Sequence, residues 1–336
     1  MIQNSESDPR AYRHFAITRF DDLDEFAASV QAWDIDFRQL DSGRRGCDLF
    51  EIGVDKTIFS HSFIESRFLQ RGISPAGGRT FSIPVHHVPV NWCGHTVNAD
   101  EILLLNSSCE FEAIMSGPKL EVFNLTYDEV FLAELANTQE IEDLSTVLGV
   151  TRSANKIGVV QIEAIRRILL KLSYNIFHST DVESTLLNIQ ALQFEIPRML
   201  LRVLTSESAN SIKPILSKRM KAIKRAVEYI NESQATPIRL CDLSRIAGVS
   251  DRTLEYAFKE VFGVPPSKFI RINRLNGVHR ELRLANARHL RICKVANRWG
   301  FTHMGDFSRQ YRMLFGESAS ETQGRNTVKG VKHPDR

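Results

Sequence analysis

The chain has 336 residues, 43% of them hydrophobic and 25% charged, with a formal net charge of +3. That length suits two domains, each able to bury its own core, and the composition is that of a soluble globular protein. No apolar run approaches the length of a membrane span, so no bilayer crossing is expected. The small net charge hides an asymmetry: residues 1–210 hold 18 Lys/Arg against 29 Asp/Glu, and residues 211–336 hold 25 against 11. A basic final third on an acidic body points to a polyanionic partner for that third alone, with nucleic acid the leading choice.

The opening residues, MIQNSESDPRAYRHF, lack the basic and then apolar pattern of a secretory signal, and a cytoplasmic location is expected. Five cysteines, Cys47, Cys93, Cys109, Cys241 and Cys293, form an odd set without CxxC spacing, which reads as buried, reduced thiols rather than a disulfide framework or zinc ribbon. From Cys47 to Tyr127, short apolar or alternating runs such as KTIFSHSFIESRF and EILLLNSSCEFEAIMSGPKLEVFNLTY are broken by turn signals at Pro75 to Gly78, Gly94, Asn106 to Ser108 and Gly117-Pro118. Such spacing predicts an antiparallel sheet or small barrel.

Between Asp128 and Leu204 the period becomes helical, in QIEAIRRILLKLSYNIF and STLLNIQALQFEIPRMLLRVL. The second stretch is apolar around much of its circumference, through Leu187, Leu192, Phe194, Ile196, Met199, Leu200 and Leu204, and is expected to pack on two sides. The polar segment that follows, closed by Pro214, sits where the charge balance flips and reads as a linker.

Near the C-terminus one short unit is written twice, as VSDRTLEYAFKEVFG and FTHMGDFSRQYRMLFG. Aligned at Phe262-Gly263 and Phe315-Gly316, the copies place Leu254, Phe258 and Phe262 on Phe307, Tyr311 and Phe315, an inner apolar stripe at i, i+4, i+8. A short helix and a glycine turn, at Gly248 and Gly300, precede each stripe, giving two helix-turn-helix units with Ser250 and Thr302 as expected N-caps. The outward positions are Arg252, Glu255, Tyr256 and Lys259 in one copy, and Gly305, Ser308, Arg309 and Arg312 in the other. A helix in a major groove offers base edges to its N-terminal residues and phosphates to its flanking cations. Arg252, Tyr256, His303, Met304 and Arg309 are therefore assigned to base reading or groove packing, and Lys259 and Arg312 to phosphate, with Arg309 the candidate for a bidentate guanine contact. A connecting helix over Ser267 to Leu284, about 27 Å long at about 1.5 Å per residue, could hold the two reading helices roughly one duplex turn, about 34 Å, apart.

The resulting fold class is α+β: an N-terminal, mostly antiparallel β, cupin-like domain with packed helices, then an all-α double helix-turn-helix domain. The expected boundaries are 1–205, a linker over 206–215, the helical domain over 216–322 and a disordered tail over 323–336.

VSDRTLEYAFKEVFGVPPSKFI, RLNGVHREL and VANRWGFTHMGDFSRQYRMLFGESAS resemble the AraC/XylS family of bacterial transcriptional regulators over roughly Leu216 to Ser320. RLNGVHREL, WGFTHMGDFSRQY and the early AWDIDFRQL are similar to regulators that activate ethanolamine-utilisation operons, and regulators of catabolism or cell-density responses share such segments. The resemblance implies that the part from about Tyr12 to Leu204 senses a small-molecule effector or forms a homodimer, and that the whole recruits RNA polymerase at promoters on double-stranded DNA, as an activator. Three residues depart from the family pattern: Gly305 inside a reading helix, Gln310 at a usually small or apolar position, and Gly277 within the connector.

A different class of function rests on His86, His87 and His95, which with Glu101 could ligate zinc or iron in a metal-binding cupin-like enzyme or a metal sensor. Against it, no compact His-x-His with a nearby Glu is present, and adjacent His86 and His87 point to opposite faces of a strand. A redox role for Cys93 would need His95 to lower its thiol pKa. GxSxG, GxxxxGK[ST], HExxH and GxGxxG are all absent, so no catalytic, metal or cofactor residue is assigned and an enzyme is not expected. Phe63, Phe81, Trp92 and Phe123 serve equally as pocket or core residues.

Overall fold

The computed structural model describes residues 14–30, 32–87, 89–141, 152–178, 181–206, 210–212, 216–233, 235–284 and 290–325. The alternating sequence forms β1 (His14–Phe20), β2 (Asp34–Gln39), β3 (Cys47–Val54), β4 (Thr57–Ile64), β5 (Phe68–Ile73), β6 (Gly78–Pro84), β7 (Val90–Trp92), β8 (His95–Thr96), β9 (Glu101–Leu105), β10 (Glu110–Met115) and β11 (Leu120–Asp128). Two further strands, β12 (Arg152–Lys156) and β13 (Asn210–Ile212), extend the larger sheet, whose order is β1-β3-β4-β11-β6-β9-β12-β13; the smaller is β2-β5-β10-β7-β8. β13 thus lies within the segment expected to be a linker. The expected antiparallel architecture is what forms: neighbouring strands pair antiparallel, as in Phe123 with His61 and Asn124 with Ser60.

Period-two alternation decides which side of the larger sheet each residue meets. Phe59, Phe81, Phe123, Leu125 and Tyr127 point away from the smaller sheet, into a core shared with the helices α2 (Glu129–Asn137), α3 (Val159–His178), α4 (Val182–Gln190) and α5 (Ile196–Leu204). Leu49, Ile64 and Leu103 point the other way and meet Phe37, Phe68, Trp92 and Phe111 of the smaller sheet. Phe81 and Phe123 are therefore core on the helical side, and Trp92 belongs to the space between the sheets. A short helix, α1 (Leu23–Ser29), closes that space with Phe26.

The stretch expected to be one helix apolar on two sides differs from that reading. A π-helical turn at Ala191–Glu195 separates α4 from α5, whose second residue is Pro197, which cannot donate a backbone hydrogen bond. The wider turn rotates the apolar stripe, so Leu192, Ile196, Leu200 and Leu204 are buried while Leu187 is 61% and Phe194 41% exposed. Among the described residues no helix is long and apolar enough to cross a membrane.

The C-terminal region is helical: α6 (Lys218–Glu232), α7 (Leu240–Ala247), α8 (Asp251–Phe262), α9 (Pro266–Leu284), α10 (Ile292–Arg298), α11 (Met304–Phe315) and α12 (Ala319–Arg325). Leu254, Phe258, Phe262, Phe307, Tyr311 and Phe315 are all buried around α9, through Phe269, Leu275, Val278 and Leu282. Gly277 is explained by close approach: a Cβ there would lie 2.2 Å from the Trp299 ring. Gln310 is buried with its amide bonded to Asp306.

The outer face of the smaller sheet docks on this helical core through Leu40, Leu69 and Ile114. Asn276 of α9 pairs with the peptide of Gln39: the Gln39 N–H donates to Asn276 Oδ1 at 2.9 Å, and Asn276 Nδ2 donates to the Gln39 carbonyl at 3.0 Å. Arg280 binds Asp36, and Arg283 lies 3.5 Å from Asp22 and 3.0 Å from Glu25. Within this seam burial, reinforced by Asp22 and Asp36 and opposed by Arg280 and Arg283, pushes Asp24 up to about 7. Burial beside Arg283 and Arg280 lowers His279 to about 3, so it stays neutral. From about pH 4 to 7 the folded chain then holds a proton on Asp24 that the unfolded chain releases, and stability falls as pH rises through that window. Thermal unfolding at pH 5 and pH 8 should show Asp24→Asn losing less stability on the alkaline side than the parent. The same pH response in both would mean that Asp24 is ionised throughout.

Candidate nucleic-acid interface

Each reading helix is built from local signals. α7 ends at Gly248, held at φ +72, with the Val249 N–H bonded to the Ser244 carbonyl at 3.1 Å, a left-handed stop that turns the chain into α8. Ser250 caps α8 as expected, accepting from the Thr253 N–H at 3.3 Å. In the second unit the expectation for Thr302 fails. α11 begins at Met304, and His303 holds the N-cap position without a side-chain cap bond. The reason is the turn length: two residues lie between Gly248 and the start of α8, and three lie between Gly300 and the start of α11.

Arg252, Tyr256 and Lys259 are exposed on α8, Tyr256 by 66%, and Glu255 is half-buried. On the second unit His303, Gly305, Ser308, Arg309 and Arg312 are exposed, whereas Met304 is half-buried against the helical core. Arg309 pairs with Asp306 one turn earlier, and its side chain is 78% exposed. Around the first helix a groove of about 450 Å³ is lined by Arg219, Arg252, Thr253, Glu255, Tyr256 and Lys259. Arg219 was missed from the sequence. It comes from α6, lies 5.9 Å from the Tyr256 ring centre and pairs with Glu260; the cationic run KRMKAIKR was the signal for it.

The two units open on a common cleft. A space of about 410 Å³ is bounded by Glu255 of α8, by Thr302, His303 and Asp306 at the start of α11, and by Ser267, Arg271 and Arg274 of α9. The opposite ends of the reading helices rest on the β region. Val261 of α8 accepts from the Ser116 hydroxyl at 3.1 Å; in α11, Met313 accepts from the Gly43 N–H at 3.0 Å and Leu314 from the Gln39 amide at 2.8 Å. These are last-turn carbonyls that a helix cannot satisfy internally.

Between the sheets lies a cavity of about 100 Å³, walled by aromatic residues including Trp33, Phe37, Trp92 and Phe111. Its polar side is Ser60, Ser62, Gln70, Ser82 and Asn124, with the Ser82 hydroxyl donating to Asn124 Oδ1 at 2.6 Å, and among the described residues its lining side chains carry no charge.

The histidines considered for metal are dispersed. His95 Nε2 sits 2.8 Å from Glu101, His86 lies 3.4 Å from Glu121, and His87 is exposed. Among the described residues no group of three or more His, Cys, Asp or Glu is placed to hold a metal ion. Of the cysteines expected to be buried, Cys47 and Cys93 are, Cys109 is half-buried, and Cys241 and Cys293 are exposed; burial pushes the Cys93 thiol up to about 11, opposite to the lowering that a redox-active thiolate needs.

A family model described as a helix-turn-helix domain matches residues 243–325, which include both reading helices. Over 108 residues the chain is 32% identical to XylDLEGF operon transcriptional activator 2 of Pseudomonas putida, an alignment covering 32% of this chain and 69% of that relative. The chain belongs to the AraC/XylS family. A second relative, the probable thc operon regulatory protein of Rhodococcus erythropolis, is 31% identical over 99 residues, 30% of each chain. The first curated relatives share with this chain only 30 to 39% of their own length. Among solved structures, a probable AraC family transcriptional regulator from Rhodopseudomonas palustris is 33% identical, aligned over 31% of this chain and 96% of that one, with a TM-score of 0.29. For this AraC/XylS member the family-model match, residues 243–325, lies in the helical region, over both helices of the repeat.

Proposed function

We propose that the protein is a sequence-specific DNA-binding transcriptional regulator, an activator of a catabolic or cell-density-responsive operon controlled by a small-molecule effector. The observation that carries this reading is the shared cleft: Glu255 of α8 and His303 and Asp306 of α11 face one space, so both reading helices open on one side of the molecule. In this reading Arg252, Tyr256, His303 and Arg309 meet base edges, Lys259 and Arg312 meet phosphate, and Glu255 and Ser308 complete the two outward faces. Met304, half-buried, packs at the groove rim.

Residues 1–205 act as the effector-sensing or dimerising unit and 216–322 as the DNA-binding unit, joined through 206–215; of the expected disordered tail, 323–336, the first three residues are the end of α12, and 326–336 lie outside the described residues. The effector occupies the cavity between the sheets. A cationic amine such as ethanolamine would find no carboxylate in that lining, which favours an uncharged molecule. Val160, Tyr174 and Leu187, exposed by 78%, 63% and 61%, support a homodimer through the helical layer. The regulator works in the cytoplasm, recruits RNA polymerase and has no enzymatic activity of its own.

Genome-wide recovery of DNA bound by the purified full-length protein, followed by footprinting, tests the reading. Two half-sites about one turn apart upstream of a few operons are expected; sequence-blind binding lost at modest salt would refute it. Lys259→Ala should weaken binding to every sequence alike and reduce the slope of log K against log salt by about 0.9. An unchanged slope would remove Lys259 from the phosphate contacts.

A further inference from the structure

Ser267, Ile270, Arg271 and Arg274 fall at i, i+3, i+4 and i+7 along α9, one face of the helix, and all four line the cleft between the reading helices. Arg271 is exposed and makes no hydrogen bond or ion pair with any described residue. Arg274 donates through Nη2 to the Thr236 carbonyl at 2.6 Å, while its buried Nε has no partner among the described residues. Neither guanidinium is neutralised by a carboxylate of any described residue. Of the acids on the cleft walls, Asp306 is engaged by Arg309 and Gln310, and Glu255 stands on the α8 side. The cleft therefore has a cationic side on α9 and acids on its α8 and α11 sides, so an anion is favoured beside Arg271 and Arg274 and disfavoured beside Glu255.

Two helices reading successive major-groove segments on one face of DNA leave one minor groove between them, and its backbone passes the protein at this cleft. We infer that Arg271, supported by Arg274, is a binding site for the DNA phosphates lying between the two half-sites. The inference rests on the proposed DNA-binding reading and adds to it a third point of attachment, on the connector rather than on either reading helix. The ligand is the phosphodiester and not a base edge, so Arg271 contributes affinity and register but no base preference.

The test uses the full-length protein, the footprinted operator duplex, and duplexes in which single spacer phosphates are replaced by neutral methylphosphonates. Arg271→Gln is expected to weaken operator binding about tenfold, the size of one charge-assisted hydrogen bond, and to lower the salt slope by about 0.9. At one or two spacer positions the methylphosphonate should cost the parent a similar factor and cost Arg271→Gln almost nothing more. Losses that multiply at every spacer position, or parent-like binding by Arg271→Gln, would overturn the site while leaving the helix-turn-helix reading intact. A parent protein that prefers its operator no more than random duplex would overturn that reading and this site together. Unchanged thermal unfolding of Arg271→Gln, expected for an exposed side chain, separates lost contact from lost fold.

Discussion

Phe258→Ala is expected to lower the stability of the helical region by about 3–5 kcal/mol. Phe258 is fully buried, with its ring 5.3 Å from both Phe262 and Phe269. Those rings join the first reading helix to the connector, so the space left by the substitution lies between two helices that must hold their relative position. Against a typical total of about 5–15 kcal/mol, such a loss leaves a substantial unfolded fraction near physiological temperature. Thermal unfolding should move down by many degrees, and operator binding should fall with it. A melting temperature within a degree or two of the parent would mean that the stripe Leu254, Phe258 and Phe262 does not support this core.

Arg309→Ala is expected to cost about 1–3 kcal/mol of operator binding, a loss of roughly 5- to 150-fold, and to relax base preference at one position of the site. The side chain is exposed on α11 and tethered to Asp306 one turn away. An exposed i, i+3 pair is worth about 0–1 kcal/mol, less than a bidentate guanine contact, so the guanidinium can leave its partner for a base. Binding measured against duplexes carrying each base in turn would show the relaxed position. Equal losses on specific and random DNA would instead make Arg309 a phosphate contact, like Lys259.

The reading helices were legible because their signals are local. A stripe at i, i+4, i+8 must face a core, glycine after a short helix permits the left-handed stop, and the residues opposite the stripe must face outward. Ser250 followed the same logic. Thr302 did not, because one extra residue in the second turn moves the helix start, and a one-residue difference in a turn leaves no periodic trace. The helix through Leu187 and Phe194 was misread for a similar reason: a π-helical turn changes phase without changing composition.

Arg219 and Arg271 show the other limit. Each lies outside the repeated unit, on a helix whose outward face is merely cationic in sequence, and each gains its place only because a different helix packs beside it. The same holds for Asn276, whose amide is an ordinary polar group until β2 presents the Gln39 peptide to it.

By itself, then, the sequence determined what periodicity, punctuation and charge encode: an antiparallel β region followed by helices, a basic final third, a duplicated helix-turn-helix and the outward residues of both reading helices. Tertiary structure alone decided how these parts meet. It seated the last turns of both reading helices on Gln39, Gly43 and Ser116, closed a largely aromatic cavity between the sheets, and brought the connector's arginines to the side of a cleft. Those contacts join residues far apart in the chain, and the free energy that selects them comes from burying surfaces against one another, which no local pattern records.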